Sequence, residues 1–304
     1  MATTTGSPLS ALRTRAYRLV YPRTEVDREH RRVVALCLPF FLLATVAAFL
    51  PMATMARASV SVGVYENVGW TGEFYRTLVS DPVYREIAVN TLWFAAATTL
   101  VSVAVGVGVA HALEKYDLPF ERGLVAALSF PIALPGIVVA FLIVVLIGRS
   151  GLVTNALAAL VGGDPFSLAT ATTVFGLFLA YLYSLIPRSA LVLRGTYSEV
   201  NQDAEEAAQS LGASPLQTFY HVTLPQIRPG IVASFILTFR TALTIFGTVL
   251  VLQNLSLATL RIQHEIANGF EVQTAAAIGV IYFAFMLGFT YLGLQYTSAE
   301  VTTI

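Results

Sequence analysis

Apolar residues gather in six stretches along this chain, at about 33–56, 87–111, 123–147, 171–193, 229–252 and 275–296. Each is close to the ~20 residues that a helix needs to cross a bilayer core. Within them, hydrophobic side chains occupy every helical face rather than one stripe. Lipid imposes that pattern, because only a helix or a closed barrel satisfies its own backbone there. No Asp or Glu lies well inside any stretch. The pattern predicts an all-α membrane protein with six transmembrane helices.

Composition agrees. Only 12% of residues are charged, against about 25% in soluble domains. Net charge is zero, which gives no reason to expect a nucleic-acid partner. A single cysteine, Cys37, excludes an intrachain disulfide, and the scattered histidines lack companions at metal-ligand spacing. The one lysine, Lys115, sits in Ala112-Leu113-Glu114-Lys115-Tyr116. A phosphate-binding loop needs a glycine-rich turn ending in Gly-Lys-Ser/Thr. The chain is therefore expected to be no enzyme and to bind no cofactor.

Lys and Arg divide unevenly among the segments between spans. Twelve fall in the N-terminal tail and the second and fourth loops, five in the alternate loops. The excess places the N-terminus, and with six spans the C-terminus, in the cytoplasm of a plasma (inner) membrane protein. Residues 1–32 read as a basic tail and 33–304 as one membrane domain, with a cytoplasmic loop at 194–228.

That loop is rich in helix punctuation. Asp203 with Glu206 makes a capping-box-like start, Ala204 to Leu211 a short helix, and Gly212 a left-handed stop. Ser214-Pro215 restarts a helix, expected to run through Phe219 and Tyr220 and to end before Leu224-Pro225.

Glu206-Ala207-Ala208, three residues, Gly212, nine residues, then Val222-Thr223-Leu224-Pro225 resembles the EAA motif of ATP-binding-cassette (ABC) importer permeases. Only Val222, in place of isoleucine, departs from it. The resemblance covers about residues 86–296 and implies the type I importer permease fold with a cytoplasmic coupling helix. It also implies two ABC ATPase subunits carrying ATP and Mg, a second permease (identical or homologous), and an extracytoplasmic solute-binding protein. Glu206 would pair with a basic ATPase residue and Gly212 would set the turn. Ala207 and Ala208 would permit close approach, and Phe219, Leu224 and Pro225 would seat the element against the spans.

Arg149-Ser150-Gly151-Leu152 and Phe246-Gly247-Thr248-Val249-Leu250 look most like permeases for sulfate, molybdate, ferric iron, thiamine, phosphonates or polyamines. Several anion importers read Gly-Glu-Phe-Gly where this chain has Thr244-Ile245-Phe246-Gly247, a departure from the oxyanion pattern. Sugar permeases look more distant. An ion-coupled secondary transporter, the other alternative, keeps acidic residues in its spans.

Pro131, Pro135 and Gly136 interrupt the third span, as either a hinge or a static kink. Arg240 lies on the order of 15 Å into the fifth, counted from Pro229 at ~1.5 Å per residue. At helical spacing it shares a face with Thr244, Gly247 and Thr248. That stripe is either a translocation-pathway contact or a buried arginine satisfied by neighbouring carbonyls. Small residues along the second span, among them Ala95, Thr98, Thr99, Ser102 and Gly106, are expected to serve helix packing.

Overall fold

The computed structural model describes residues 25–63 and 69–301. Most of the basic tail expected over 1–32, including Arg13, Arg15, Arg18 and Arg23, lies outside the described residues. Two units are distinguished, Met1–Ala58 and Ser59–Ile304. In the first, α1 (Glu25–Ala58) begins ahead of the expected span and carries Pro39 and Pro51.

The second unit is helical almost throughout. In order come α2 (Glu73–Ser80), α3 (Pro82–Lys115), α4 (Glu121–Ala133), α5 (Gly136–Ile147), α6 (Leu152–Val161), α7 (Pro165–Leu168) and α8 (Val174–Tyr197). Then follow α9 (Gln202–Ser210), α10 (Pro215–Thr218), a π-helical turn (Phe219–Thr223), α11 (Leu224–Thr244) and α12 (Gly247–Leu252). The chain closes with α13 (Ala258–His264), a second π turn (Glu265–Gly269) and α14 (Val272–Val301).

Six segments of the described residues are long and apolar enough to cross a membrane: Arg31–Ala58, Pro82–Lys115, Gly136–Val161, Val174–Tyr197, Pro215–Thr244 and Val272–Gly293. The third sits later than its expected bounds of 123–147. Its apolar run continues past Gly148 into α6, which periodicity alone did not separate from a loop.

Helix α8 lies at the centre of this unit. Leu177, Tyr181 and Leu185 are buried along it, against Phe94 of α3, Val139 of α5, and Phe239 and Leu243 of α11, and Leu193 is buried farther along against Ala110 of α3 and Ile227 of α11. The small residues of α3 are buried at this contact, as expected. A Cβ on Gly106 would stand 2.5 Å from Ser189 Oγ and 3.1 Å from the Ala190 nitrogen, so α3 and α8 touch almost backbone to backbone. Ser189 Oγ then shares a 2.9 Å hydrogen bond with Ser234 Oγ of α11. Farther along, Gly230 of α11 abuts Thr196 of α8. Close approach through small side chains is how helices associate where lipid removes the hydrophobic drive.

Two apolar stretches are broken, the third at its expected interruption and the fifth where a continuous helix was expected. Between α4 and α5, Leu134 and Pro135 are extended, with ψ of 131° and 142°. Pro135 supplies no N–H and biases Leu134 away from helical geometry. Between α11 and α12, Ile245 turns extended with ψ of 115°. Here the Thr241 and Thr244 hydroxyls bond the carbonyls of Leu237 and Thr241, at 2.8 and 2.9 Å. Such side-chain bonds compete with the helical ladder.

Candidate functional site

The segment after α8 forms a compact helix–turn–helix. Asn201, rather than the expected Asp203, caps α9: its side chain accepts the Ala204 N–H at 3.3 Å. Gly212 ends α9 at φ +93°, with Gly212 N bonding Gln209 O and Ala213 N bonding Ala208 O. This paired closure requires a left-handed residue, which glycine adopts at least cost. An added Cβ there would meet nothing within 4 Å, so conformation, not space, selects glycine. Ser214 caps α10 as a full capping box: Ser214 N donates to Gln217 Oε1 at 2.8 Å and Gln217 N to Ser214 Oγ at 3.4 Å.

The expected end before Leu224-Pro225 does not occur. The chain passes through the Phe219–Thr223 π turn directly into α11, with Leu224 N bonded to Phe219 O. Widening the turn shifts the backbone register just where Pro225 lacks a donor. Gln226 fastens the loop, its Oε1 accepting from Asn201 N at 2.9 Å and its Nε2 donating to Val222 O at 3.0 Å.

The two adjacent acids of α9 point differently. Glu206 is exposed with Ala207, while Ala208 is half-buried and Glu205 is only 8% exposed. Lys115 of α3 donates to Glu205 Oε2, and the Thr223 hydroxyl donates to Glu205 Oε1. The outer surface of the element presents Glu206 beside the exposed apolar residues Leu211, Leu216 and Tyr220. Phe219 and Leu224 turn inward. The Phe219 ring meets His111 at 5.0 Å, and Leu224 packs on the core of Ala110, Leu193, Tyr197, Val200 and Ile227. Pro225 is exposed. Lys115, Glu205, Thr223 and Asn201 were missed in the sequence. The available signal was Lys115 itself, a sole lysine at the end of a span.

A second constellation joins the two helix breaks. A Cβ on Gly247 would stand 2.9 Å from Ile137 N, and one on Gly136 3.0 Å from Thr248 Oγ1. Thr248 is buried and donates to Gly136 O at 2.9 Å. The hinge candidate Gly136 and the pathway candidates Gly247 and Thr248 thus form one contact, with Pro135 exposed beside it and Pro131 buried a turn earlier. Arg240 and Thr244 are exposed, so the break divides the expected polar stripe in two. Carbonyls freed at the end of α11 are met from elsewhere: Tyr282 OH of α14 donates to Leu243 O, and Tyr181 OH of α8 to Ile245 O.

At the other end of α3, Tyr84 OH donates to Glu265 Oε1 at 2.7 Å, and Arg261 Nε reaches the same oxygen at 2.7 Å. Burial works against the Arg261 charge. Bonding to Tyr84 and Glu265 outweighs it, and its pKa stands above the ordinary arginine value. Tyr84 and Ala110 are 26 residues apart on α3, about 39 Å at 1.5 Å per residue. A hydrocarbon core spans ~30 Å, so this cluster and the α9–α10 loop belong to opposite ends of the helix.

Residues 102–297 match the family described as "Binding-protein-dependent transport system inner membrane component". The "Probable sulfate transport system permease protein cysT" of Helicosporidium sp. subsp. Simulium jonesii is 32% identical over 182 residues, 60% of this chain and 65% of that one. A "Probable molybdenum ABC transporter permease protein" of Haloferax volcanii is 31% identical over 176 residues, 58% of this chain and 62% of that one. The match thus spans a little under two thirds of the length of these relatives. In fold, the chain resembles a bacterial ABC transporter involved in the import of the acidic polysaccharide alginate, with TM-score 0.74, 16% identity, and coverage of 91% of this chain and 99% of that chain. With the matched region taking in the latter part of α3, the spans after it and the whole 194–228 loop, the chain belongs to the family of inner-membrane components of binding-protein-dependent transport systems.

Proposed function

We propose that this chain is the permease subunit of an ATP-driven importer, and that α9 with its capped turn is the element through which a separate ATPase drives it. One observation carries the reading: Glu206 and Ala207 stand outward with Leu211, Leu216 and Tyr220 on an element pinned from within. A surface combining a carboxylate with apolar side chains suits a cleft that offers a basic residue and an apolar floor. Two ATPases holding ATP and Mg, a second permease and an extracytoplasmic binding protein complete the assembly. The α9–α10 end and both termini are cytoplasmic in this reading.

Solute passes beside the exposed Arg240–Thr244 face of α11. An arginine at membrane depth is costly and by default marks function. Among the described residues, Arg240 has no hydrogen-bond or ion-pair partner in the chain. Together with the sulfate and molybdenum names of the relatives, this favours a small oxyanion as cargo. The apposed breaks at Leu134–Pro135 and Ile245–Phe246 give the path its point of flexure.

Co-purification with the cognate ATPase, followed by uptake of labelled sulfate or molybdate into proteoliposomes with binding protein outside and ATP within, tests the proposal. ATP-dependent uptake, with Glu206→Arg abolishing ATPase retention, is the expected result. An ATPase that fails to bind the wild-type chain refutes the importer reading. Binding without oxyanion uptake refutes the cargo.

A further inference from the structure

The last turn of α3 carries two adjacent charges that reach different elements. Glu114 pairs with Arg194 near the end of α8, and Arg194 also bonds Glu121 of α4 at 2.6 Å. Lys115, the only lysine of the chain, reaches Glu205 of α9 instead. That pair is enclosed, with side chains 17% and 10% exposed. Each Glu205 oxygen has its own donor, one from Lys115 and the other from Thr223 in the π turn that opens α11. One carboxylate therefore joins three elements: the short helix that faces outward, the end of α3, and the start of α11. Neither Glu205 nor Thr223 is among the specified positions of the Glu-Ala-Ala…Gly…Leu-Pro pattern. Glu205 precedes it and Thr223 fills its free position.

A buried charge is held only where it is paired and hydrogen-bonded, and removing one partner leaves the other stranded. Such a joint resists small displacements instead of yielding gradually. Around it the seat of the loop is less committed. Among the described residues, His111 Nδ1, Tyr197 OH and Thr218 Oγ1 are buried without a hydrogen-bond partner, and the His111 ring lies 5.0 Å from Phe219 and 5.7 Å from Tyr197. The fastening is satisfied while the surface beneath it is not, an arrangement suited to an arm that moves as one piece on its bearing.

We propose that Lys115, Glu205 and Thr223 are positioning residues that lock α9 to α3 and α11, so that displacement of α9 is delivered to two spans together. The inference rests on the importer reading and assigns Glu205 a task separate from that of Glu206. Glu206 meets the ATPase, and Glu205 transmits what the ATPase does.

The experiment compares wild type, Lys115→Met, Glu205→Gln, the exchange Lys115→Glu/Glu205→Lys, and Glu206→Gln. Hydrogen exchange on the full permease chain alone should speed up over residues 202–223 by about tenfold or more in the two single variants of the lock. It should return toward wild type in the exchange and stay unchanged in Glu206→Gln. In proteoliposomes with the ATPase and binding protein, the single lock variants should still co-purify with the ATPase but move severalfold less solute per ATP hydrolysed. The exchange should recover part of that ratio. Unchanged hydrogen exchange in Glu205→Gln, an unchanged ratio, or an exchange variant no better than its singles overturns the lock. Loss of ATPase binding in Glu205→Gln alone also overturns it, by placing Glu205 at the subunit surface. A wild-type chain that binds no ATPase counts against the importer reading, whereas the hydrogen-exchange arm judges the lock independently of it.

Discussion

Gly230→Ala is the most discriminating single change that the packing offers. A Cβ there would lie 2.1 Å from Thr196 Oγ1, 2.5 Å from Cγ2 and 2.6 Å from Cβ. Rotating the threonine moves its oxygen and methyl but not its Cβ, so side-chain adjustment alone fails. To bring that last contact to ordinary range, 3.4 Å or more, α8 and α11 must separate by about 1 Å, an overpacking strain that costs ~1–3 kcal/mol. Thr196→Ala should rescue poorly because it keeps the Cβ. Thr196→Gly removes every clashing atom, at a cost of about 0.5–1 kcal/mol for a helical glycine. The neighbouring Gly195 faces open space, and Gly195→Ala is the matched control. Unfolding of the purified chain by SDS titration in mixed micelles, run as a double-mutant cycle, measures the coupling. If Gly230→Ala is as stable as Gly195→Ala, or Thr196→Ala restores it as fully as Thr196→Gly, backbone-close packing here is wrong.

The same assay should show Thr248→Val losing ~0.5–1.5 kcal/mol, the net worth of its bond to Gly136 O, with Thr248→Ser close to wild type. Serine no better than valine would mean that the bond does not hold the two breaks together. Arg240→Gln should lower uptake in proteoliposomes while leaving ATPase retention intact, and unchanged transport kinetics would remove Arg240 from the path.

The spans were legible because lipid demands apolarity around the whole helix, a signal that survives any packing. Gly212 and Ser214-Pro215 were equally readable, since left-handed closure and proline at a first turn are local chemistry. Local rules also explain two misreadings. Asn and Asp cap helices about equally well, so the start at Asn201 rather than Asp203 is decided by which side chain reaches an N–H three residues on. Pro225 signals a helix end, but a π turn before it accommodates the missing donor. The break after Thr244 has no proline, and although Thr241 and Thr244 loosen the ladder locally, the tyrosines that take up its freed carbonyls lie far away in sequence, where no window of residues reveals them. The choice between Glu205 and Glu206 was equally hidden. Successive helical residues differ by about 100° in direction, and only the position of Lys115, 90 residues earlier, says which acid turns inward.

Tyr181 and Tyr282 give the gap in the fifth span an unusual dependence. Its loose carbonyls are tied by hydroxyls on α8 and α14, side chains that belong to neither half of the broken span. The shape of α11 near Arg240 is therefore set partly by residues of two other helices. Removing a single oxygen atom, as in Tyr282→Phe, frees the Leu243 carbonyl three residues from Arg240 without changing any residue of α11.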